Sequence, residues 1–148
     1  MKTIVIYDSL YGNTEQIAKA IGGAIEGDVT VVKAAEADAA ALASFDLVII
    51  GSPTQGGRFT PKVKAFLDKV PPDALKGKRV AAFDTRARGI IPKIFGWAAN
   101  RLAATLKEKG AVIIAHGEGF LVKATKGPLV EGELERAAAW AKSLAAGH

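Results

Sequence analysis

A chain of 148 residues, 49% of them hydrophobic, holds enough apolar material for one domain with a buried core, but in short blocks far from the roughly 18 consecutive apolar residues of a membrane span. Zero cysteines and only two histidines, His116 and His148, exclude disulfides, thiolate metal sites, iron–sulfur clusters and cysteine nucleophiles, and argue against a histidine metal site or a Ser-His-Asp triad. The net charge of +5 is uneven: residues 58–109 carry 13 Lys/Arg against 4 Asp/Glu, a surplus that suits an acidic partner, a nucleic-acid surface or a merely solvated face.

Ile4-Val5-Ile6-Tyr7 is an apolar, partly β-branched block bounded by turn formers and reads as a buried strand. Its brevity, and Asp8 where a cleavage site would follow, argue against a signal peptide, so a cytoplasmic location is expected. After Gly12, residues 14–25 place Ile17, Ala18, Ile21 and Ile25 at helical spacing, with Gly22-Gly23 weakening the last turn. Val29–Val32 is a second strand, the Ala-rich segment 36–44 a helix with Leu42 facing in, and Leu47–Ile50 a third strand ended by Gly51. Pro61 suits the first position of a helix carrying Val63, Phe66, Leu67 and Val70, stopped by Pro71-Pro72. Arg79–Phe83 is a fourth strand. Residues 93–108 read as a long helix with Ile94, Trp97, Ala98, Leu102 and Leu106 on one side. Ala111–Ile114 is a fifth strand, broken at Gly117 and Gly119 before Phe120-Leu121-Val122 resumes it, and residues 130–145 form a closing helix.

Fivefold strand–helix alternation, with no repeat, linker or low-complexity tract, predicts one α/β domain over 1–148: a doubly wound, five-stranded parallel sheet with helices on both faces. Five units are too few for an eight-stranded barrel. Ligands of such sheets bind at the carboxyl ends of the strands, near the switch in strand order.

The first of those ends reads Asp8-Ser9-Leu10-Tyr11-Gly12-Asn13-Thr14. Unpaired N–H groups at the following helix N-terminus, a permissive Gly12 and the polar side chains of Ser9, Tyr11, Asn13 and Thr14 can grip a phosphate. A Walker loop is excluded by the missing Gly-Lys-Ser/Thr, and a dinucleotide turn by the missing glycine spacing. A phosphomonoester held mainly by neutral donors fits; so does a plain turn at Gly12 with Thr14 as a helix cap.

The stretch Val5–Ile21 resembles the flavodoxin signature at each constrained position, among them Ser9, Gly12, Thr14, Ala18 and Ile21. The resemblance continues through Gly51–Gly57, Phe83–Arg86 and Gly127–Ala137, and so takes in nearly the whole chain. It implies a flavodoxin-like sheet of order 2-1-3-4-5; flavodoxins are themselves an example of the ligand-position rule above, so the two expectations are not independent. It also implies non-covalent flavin mononucleotide (FMN). Ser9, Leu10, Tyr11, Gly12, Asn13 and Thr14 would surround its phosphate, Ser52, Pro53, Thr54, Gln55, Gly56 and Gly57 would line one side of the ring, and Asp84, Thr85 and Arg86 would begin the other. No metal is implied.

Two features depart from the family. Many flavodoxins sandwich the ring between Trp and Tyr, and neither stands in the matching places. Phe59 reads as a lip over the flavin or a loop anchor, and Trp97 as core in preference to a stacking platform. Familiar flavodoxins are also acidic, whereas this chain has a pI near 9.5, with Arg58, Arg86 and Arg88 at the expected rim. A guanidinium within about 7 Å of the ring would favour the reduced, anionic flavin by roughly 2 kcal/mol at an effective dielectric near 20, making the second reduction potential less negative. A basic rim calls for an acidic redox partner. Asp84 reads as a proton carrier or an Asx-turn residue, and His116, Lys123 and Lys126 as structural or solvated.

Three functions follow: an electron carrier without a catalytic residue of its own; an FMN-dependent oxidoreductase acting on a quinone or porphyrinogen, its second pocket formed by residues 84–92; or a flavin-free domain using its basic face. The carrier is the primary expectation. Scattered aromatics argue against nucleic acid, and no membrane contact is expected.

Overall fold

In the computed structural model, which describes residues 1–87 and 97–146, the first apolar block becomes β1 (Lys2–Tyr7). It lies between β2 (Asp28–Lys33) and β3 (Leu47–Pro53), both parallel to it, and β3 pairs in turn with β4 (Arg79–Ala87). The fifth place in the sheet is shared by two short strands, β5 (Val112–Ile113) and β6 (Glu118–Val122), along the start and the end of β4. The order is β2-β1-β3-β4-β5, with β6 continuing the last position, as the resemblance implied.

Burial follows position. The central strands β1 and β3 are buried on both faces over most of their length, which is why they read as continuous apolar runs, whereas the edge strand β2 has no buried residue. The helices α1 (Asn13–Ala24) and α4 (Glu133–Ala146) bury Ile17, Ile21, Ala137 and Leu144 against Val5, Leu47, Ile49 and Phe83 on one face. On the other face α2 (Pro61–Asp68) and α3 (Ala98–Glu108), with a short 3-10 turn over Ala39–Ser44, bury Val63, Phe66, Leu102 and Leu42 against Ile4, Ile6, Val48 and Ile50. Gly22 is required by this packing, since a Cβ there would run into Val31 Cγ2.

Several expected elements differ: β3 runs through Gly51 to Pro53, β4 continues past Phe83 to Ala87, the closing helix starts at Glu133 rather than 130, and three more differ further. The helix over 36–44 is instead the 3-10 turn, because Asp38 is extended and its carboxylate accepts the Ala40 N–H at 3.0 Å, which starts the turn late. The helix over 93–108 begins at Ala98; Trp97 has extended backbone, φ −128° and ψ 148°, and residues 93–96, Ile94 among them, lie outside the described residues. The fifth strand is shorter than 111–114 and is interrupted as expected: Val80 pairs with Ile113 but Phe83 with Glu118, so residues 114–117 span what residues 81–82 span on β4. There a Cβ on Gly117 would sit 2.8 Å from the Ala99 carbonyl carbon, so the excursion presses against the first turn of α3.

Candidate functional site

The carboxyl ends of β1, β3 and β4 converge with the chain after β6 around one cleft. The loop after β1 holds its own shape: Ser9 N–H donates to Asp8 Oδ1 at 3.0 Å and Gly12 N–H to Ser9 Oγ at 3.0 Å. Gly12 precedes α1 with φ 91°, and no side chain caps that helix. The first-turn N–H groups of a helix have no intrahelical acceptor, so here they stay available as donors beside the positive end of the helix dipole. Thr14 is not a cap, because its Oγ1 is hydrogen-bonded to Thr85 Oγ1 at 2.7 Å and ties the loop to β4. Asn13 is buried against Gly127, where a Cβ would lie 2.7 Å from its Oδ1. Leu10 and Tyr11 are exposed, and Lys126 Nζ stands 5.9 Å from the Tyr11 ring centroid, so Lys126 places a cation at the loop margin rather than being merely solvated.

Beneath this loop Tyr7, at the end of β1, donates its hydroxyl to Glu15 Oε2 at 3.0 Å. Burial and the Glu15 carboxylate push the Tyr7 phenol up to about 12. The same hydrogen bond, helped by Lys19, holds Glu15 below its ordinary range.

After β3 the chain is fastened at several points. Buried Ser52 Oγ accepts Thr60 N–H at 3.0 Å and donates to Pro53 O at 2.8 Å, Thr54 N–H donates to Thr85 O at 2.9 Å, and Thr54 Oγ1 accepts Ala98 N–H at 3.3 Å. Gln55 and Arg58 then exchange two backbone hydrogen bonds of 2.9 Å. Between them Gly56 and Gly57 both have positive φ, 56° and 78°, the requirement of a two-residue type I′ turn.

The end of β4 carries an ion pair that the sequence does not announce. Asp84 is fully buried and takes Arg86 Nε and Nη2 on its two oxygens, each at 2.7 Å. Oδ2 also accepts Ala99 N–H at 2.9 Å, a free donor of the first turn of α3. The Arg86 guanidinium carbon lies 3.9 Å from the Trp97 ring centroid, and on Gly119 a Cβ would collide with that guanidinium. Asp84 is the counter-ion of Arg86 and an acceptor for a helix N-terminus rather than an Asx-turn residue. Trp97 covers the pair from outside the helix, a placement the helical reading missed. Phe59 is partly buried against the α2–α3 face of the core, which makes it an anchor. Arg88 and the rest of the 84–92 segment from residue 88 onward lie outside the described residues.

The cleft is lined by Leu10, Tyr11, Asn13 and Thr14, by Pro53, Thr54 and Gln55, by Thr85, Arg86 and Ala87, and by Val122 and Thr125. Ser9, Gly12, Ser52, Gly56, Gly57 and Asp84 are neighbours of that lining in the chain without belonging to it. The sequence does not lead one to expect Val122 and Thr125 at the site, since Val122 reads only as strand, and Ala87 enters only within the 84–92 segment. A hydroxyl in the polar run Lys123–Gly127, just past a strand's carboxyl end, was the available signal for Thr125; Ala87 and Val122 carry none.

Residues 4–88 match the family model of the flavodoxin domain. "Probable flavodoxin 1" of Bacillus subtilis (strain 168) is 30% identical over 149 aligned positions, covering 98% of this chain and 90% of that protein. The crystal structure of oxidised Flavodoxin 2 from Bacillus cereus superposes with a TM-score of 0.85 at 26% identity over 100% of both chains. A flavodoxin from the domain Archaea gives 0.82 at 25% identity, covering 99% of this chain and 97% of that one.

Proposed function

The chain belongs to the flavodoxin domain family, and from that membership we propose that it holds FMN without a covalent bond in this cleft and carries electrons between partner proteins. The observation that carries the reading is the uncapped start of α1 behind a left-handed Gly12, opening where Asn13, Thr14, Thr54 and Thr85 meet. Such a donor set, with backbone N–H groups, hydroxyls and an amide, suits a phosphate ester. The fit extends to the ring: Pro53 and Thr54 on one wall and Thr85 and Ala87 on the other present short side chains, with Gln55 and Arg86 as the longer polar members.

In this reading Leu10 to Thr14 bind the phosphate, with Ser9 and Gly12 fixing the loop. The Thr14–Thr85 hydrogen bond keeps the phosphate end and the ring end in register. Ser52 and Asp84 hold the two walls, and the Gly56-Gly57 turn leaves backbone without side chains at the mouth. When bound, FMN supplies one- and two-electron chemistry at its ring, while the protein supplies position and electrostatics. An acidic redox protein is the partner that the positive surplus over 58–109 favours. The proposal includes a cytoplasmic site of action, in keeping with a chain without cysteine. Among the described residues no helix is long and apolar enough to cross a membrane.

Titration with FMN and with riboflavin, followed by tryptophan and flavin fluorescence, tests this. FMN should quench to a one-to-one endpoint and bind far more tightly than riboflavin. Equal affinity for the two would remove the phosphate role of the first loop, and no quenching at millimolar FMN would remove the proposal. Turnover of NAD(P)H with a quinone and no protein partner would favour an enzyme over a carrier.

A further inference from the structure

Beyond the 55–58 hairpin, on the side away from the cleft, a shallow groove lies between α2 and α3. Its floor is Phe59, Ala104 and Thr105, and its rim is Arg58, Lys64 and Arg101. All three rim cations are exposed. Lys64 has a carboxylate neighbour in Asp68 at 3.0 Å, but both side chains stand mostly in water, where such a pair binds weakly. Gln55 belongs to the lining of the cleft and Arg58 to the rim of the groove, and their backbones exchange two hydrogen bonds of 2.9 Å. Cleft and groove are thus joined through one hairpin, Gln55 on the cleft and Arg58 on the groove.

We propose that this groove is the docking surface for an acidic redox protein; the inference rests on the reading that the neighbouring cleft holds flavin. An apolar floor ringed by charge has the anatomy of a protein interface, with a centre that sheds water and a rim that selects the partner. Exposed Arg58, with Lys64 whose pair with Asp68 stands mostly in water, disfavours a basic partner and steers an acidic one toward the groove during encounter. A protein seated there abuts the outer side of the hairpin whose inner side borders the cleft, which brings it beside the redox site without entering it. Nucleic acid fits less well, because the floor offers one aromatic side chain and no series of rings for stacking.

The test uses the FMN-loaded full chain at low ionic strength with three probes: an acidic [2Fe–2S] ferredoxin, a basic c-type cytochrome and a single-stranded oligonucleotide of about 20 bases. The acidic carrier should bind, and its affinity should fall as salt is added. Arg58→Glu and Lys64→Glu should each weaken it about tenfold while leaving FMN affinity unchanged; Arg58→Gln, which only removes charge, should give a smaller loss. Binding unaffected by these variants, preference for the basic carrier, or an oligonucleotide that outcompetes the acidic protein would overturn the proposal. A chain that takes up FMN one-to-one but ignores partner charge loses only the groove; one that docks the acidic carrier without taking FMN loses only the reading of the cleft.

Discussion

Arg58 and Arg86 are equivalent as sequence: each follows an expected strand, each is expected at the rim of the site, and each adds one positive charge to a basic stretch. Their surroundings differ completely. Arg86 is held bidentately by a buried carboxylate, covered by Trp97 and backed by Gly119. Arg58 sits beyond a two-residue turn with its side chain in water. The first is a bolt that fastens β4 to the start of α3, and its field is largely cancelled by Asp84. The second is charge on offer to a partner. A count of cations near a site therefore says little about the potential inside it until each counter-ion is known.

The largest way to break this contrast is Asp84→Asn. Leaving the Arg86 guanidinium buried without its carboxylate should cost about 3–5 kcal/mol, read as a lower urea midpoint, and a loss under 1 kcal/mol would contradict the bolt. Next comes Gly119→Ala, which forces a methyl group into the guanidinium and should cost about 1–3 kcal/mol in the same measurement.

The Tyr7–Glu15 pair stands between the two extremes, one partner buried and the other partly exposed. A phenol whose folded value is raised from 10.0 to about 12 keeps its stabilising contribution below the unfolded value and loses it as pH rises from 10 towards 12. Stability of the parent should fall across that window, and Tyr7→Phe should lose this part of the alkaline slope. Arg58→Gln should move stability by no more than about 0.5 kcal/mol, as for other exposed positions, and a larger effect would mean that its side chain is not free.

The finest distinction concerns the redox potential of the FMN-loaded chain. The sequence alone suggests that Arg86 favours the anionic reduced cofactor by roughly 2 kcal/mol. With Asp84 bound to it, the pair carries no net charge, so the double variant Asp84→Asn/Arg86→Gln should keep the parent midpoint potential. A clear downward shift in that variant would show Arg86 acting as a lone cation.

The Val5–Ile21 stretch shows which parts of the site were legible beforehand. Strand, tight turn and amphipathic helix are local features set by residues a few positions apart, even though Thr14 and Asn13 go on to meet Thr85 and Gly127. The Gly56-Gly57 turn is readable for the same reason, since two adjacent glycines between hydrogen-bonding neighbours suit positive φ. Asp84 escaped because its partners are Arg86, two residues on, and Ala99, fifteen on, and nothing in the intervening sequence marks the second. Thr125 and Val122 reach the cleft only because the excursion at 114–117 shifts β6 along β4.

By itself the sequence determined the alternation of strands and helices, the faces they bury and the donor-rich turn after β1, because periodicity and backbone permission are properties of neighbouring residues. Tertiary structure alone decided where α3 begins, which residues behind the first loop line the cleft, and which of two similar arginines keeps its charge available. Those outcomes depend on burial and on partners from distant positions: Asp84 stands two residues from Arg86, but only the surrounding Ala99, Trp97 and Gly119 bury the pair and fix it as the counter-ion.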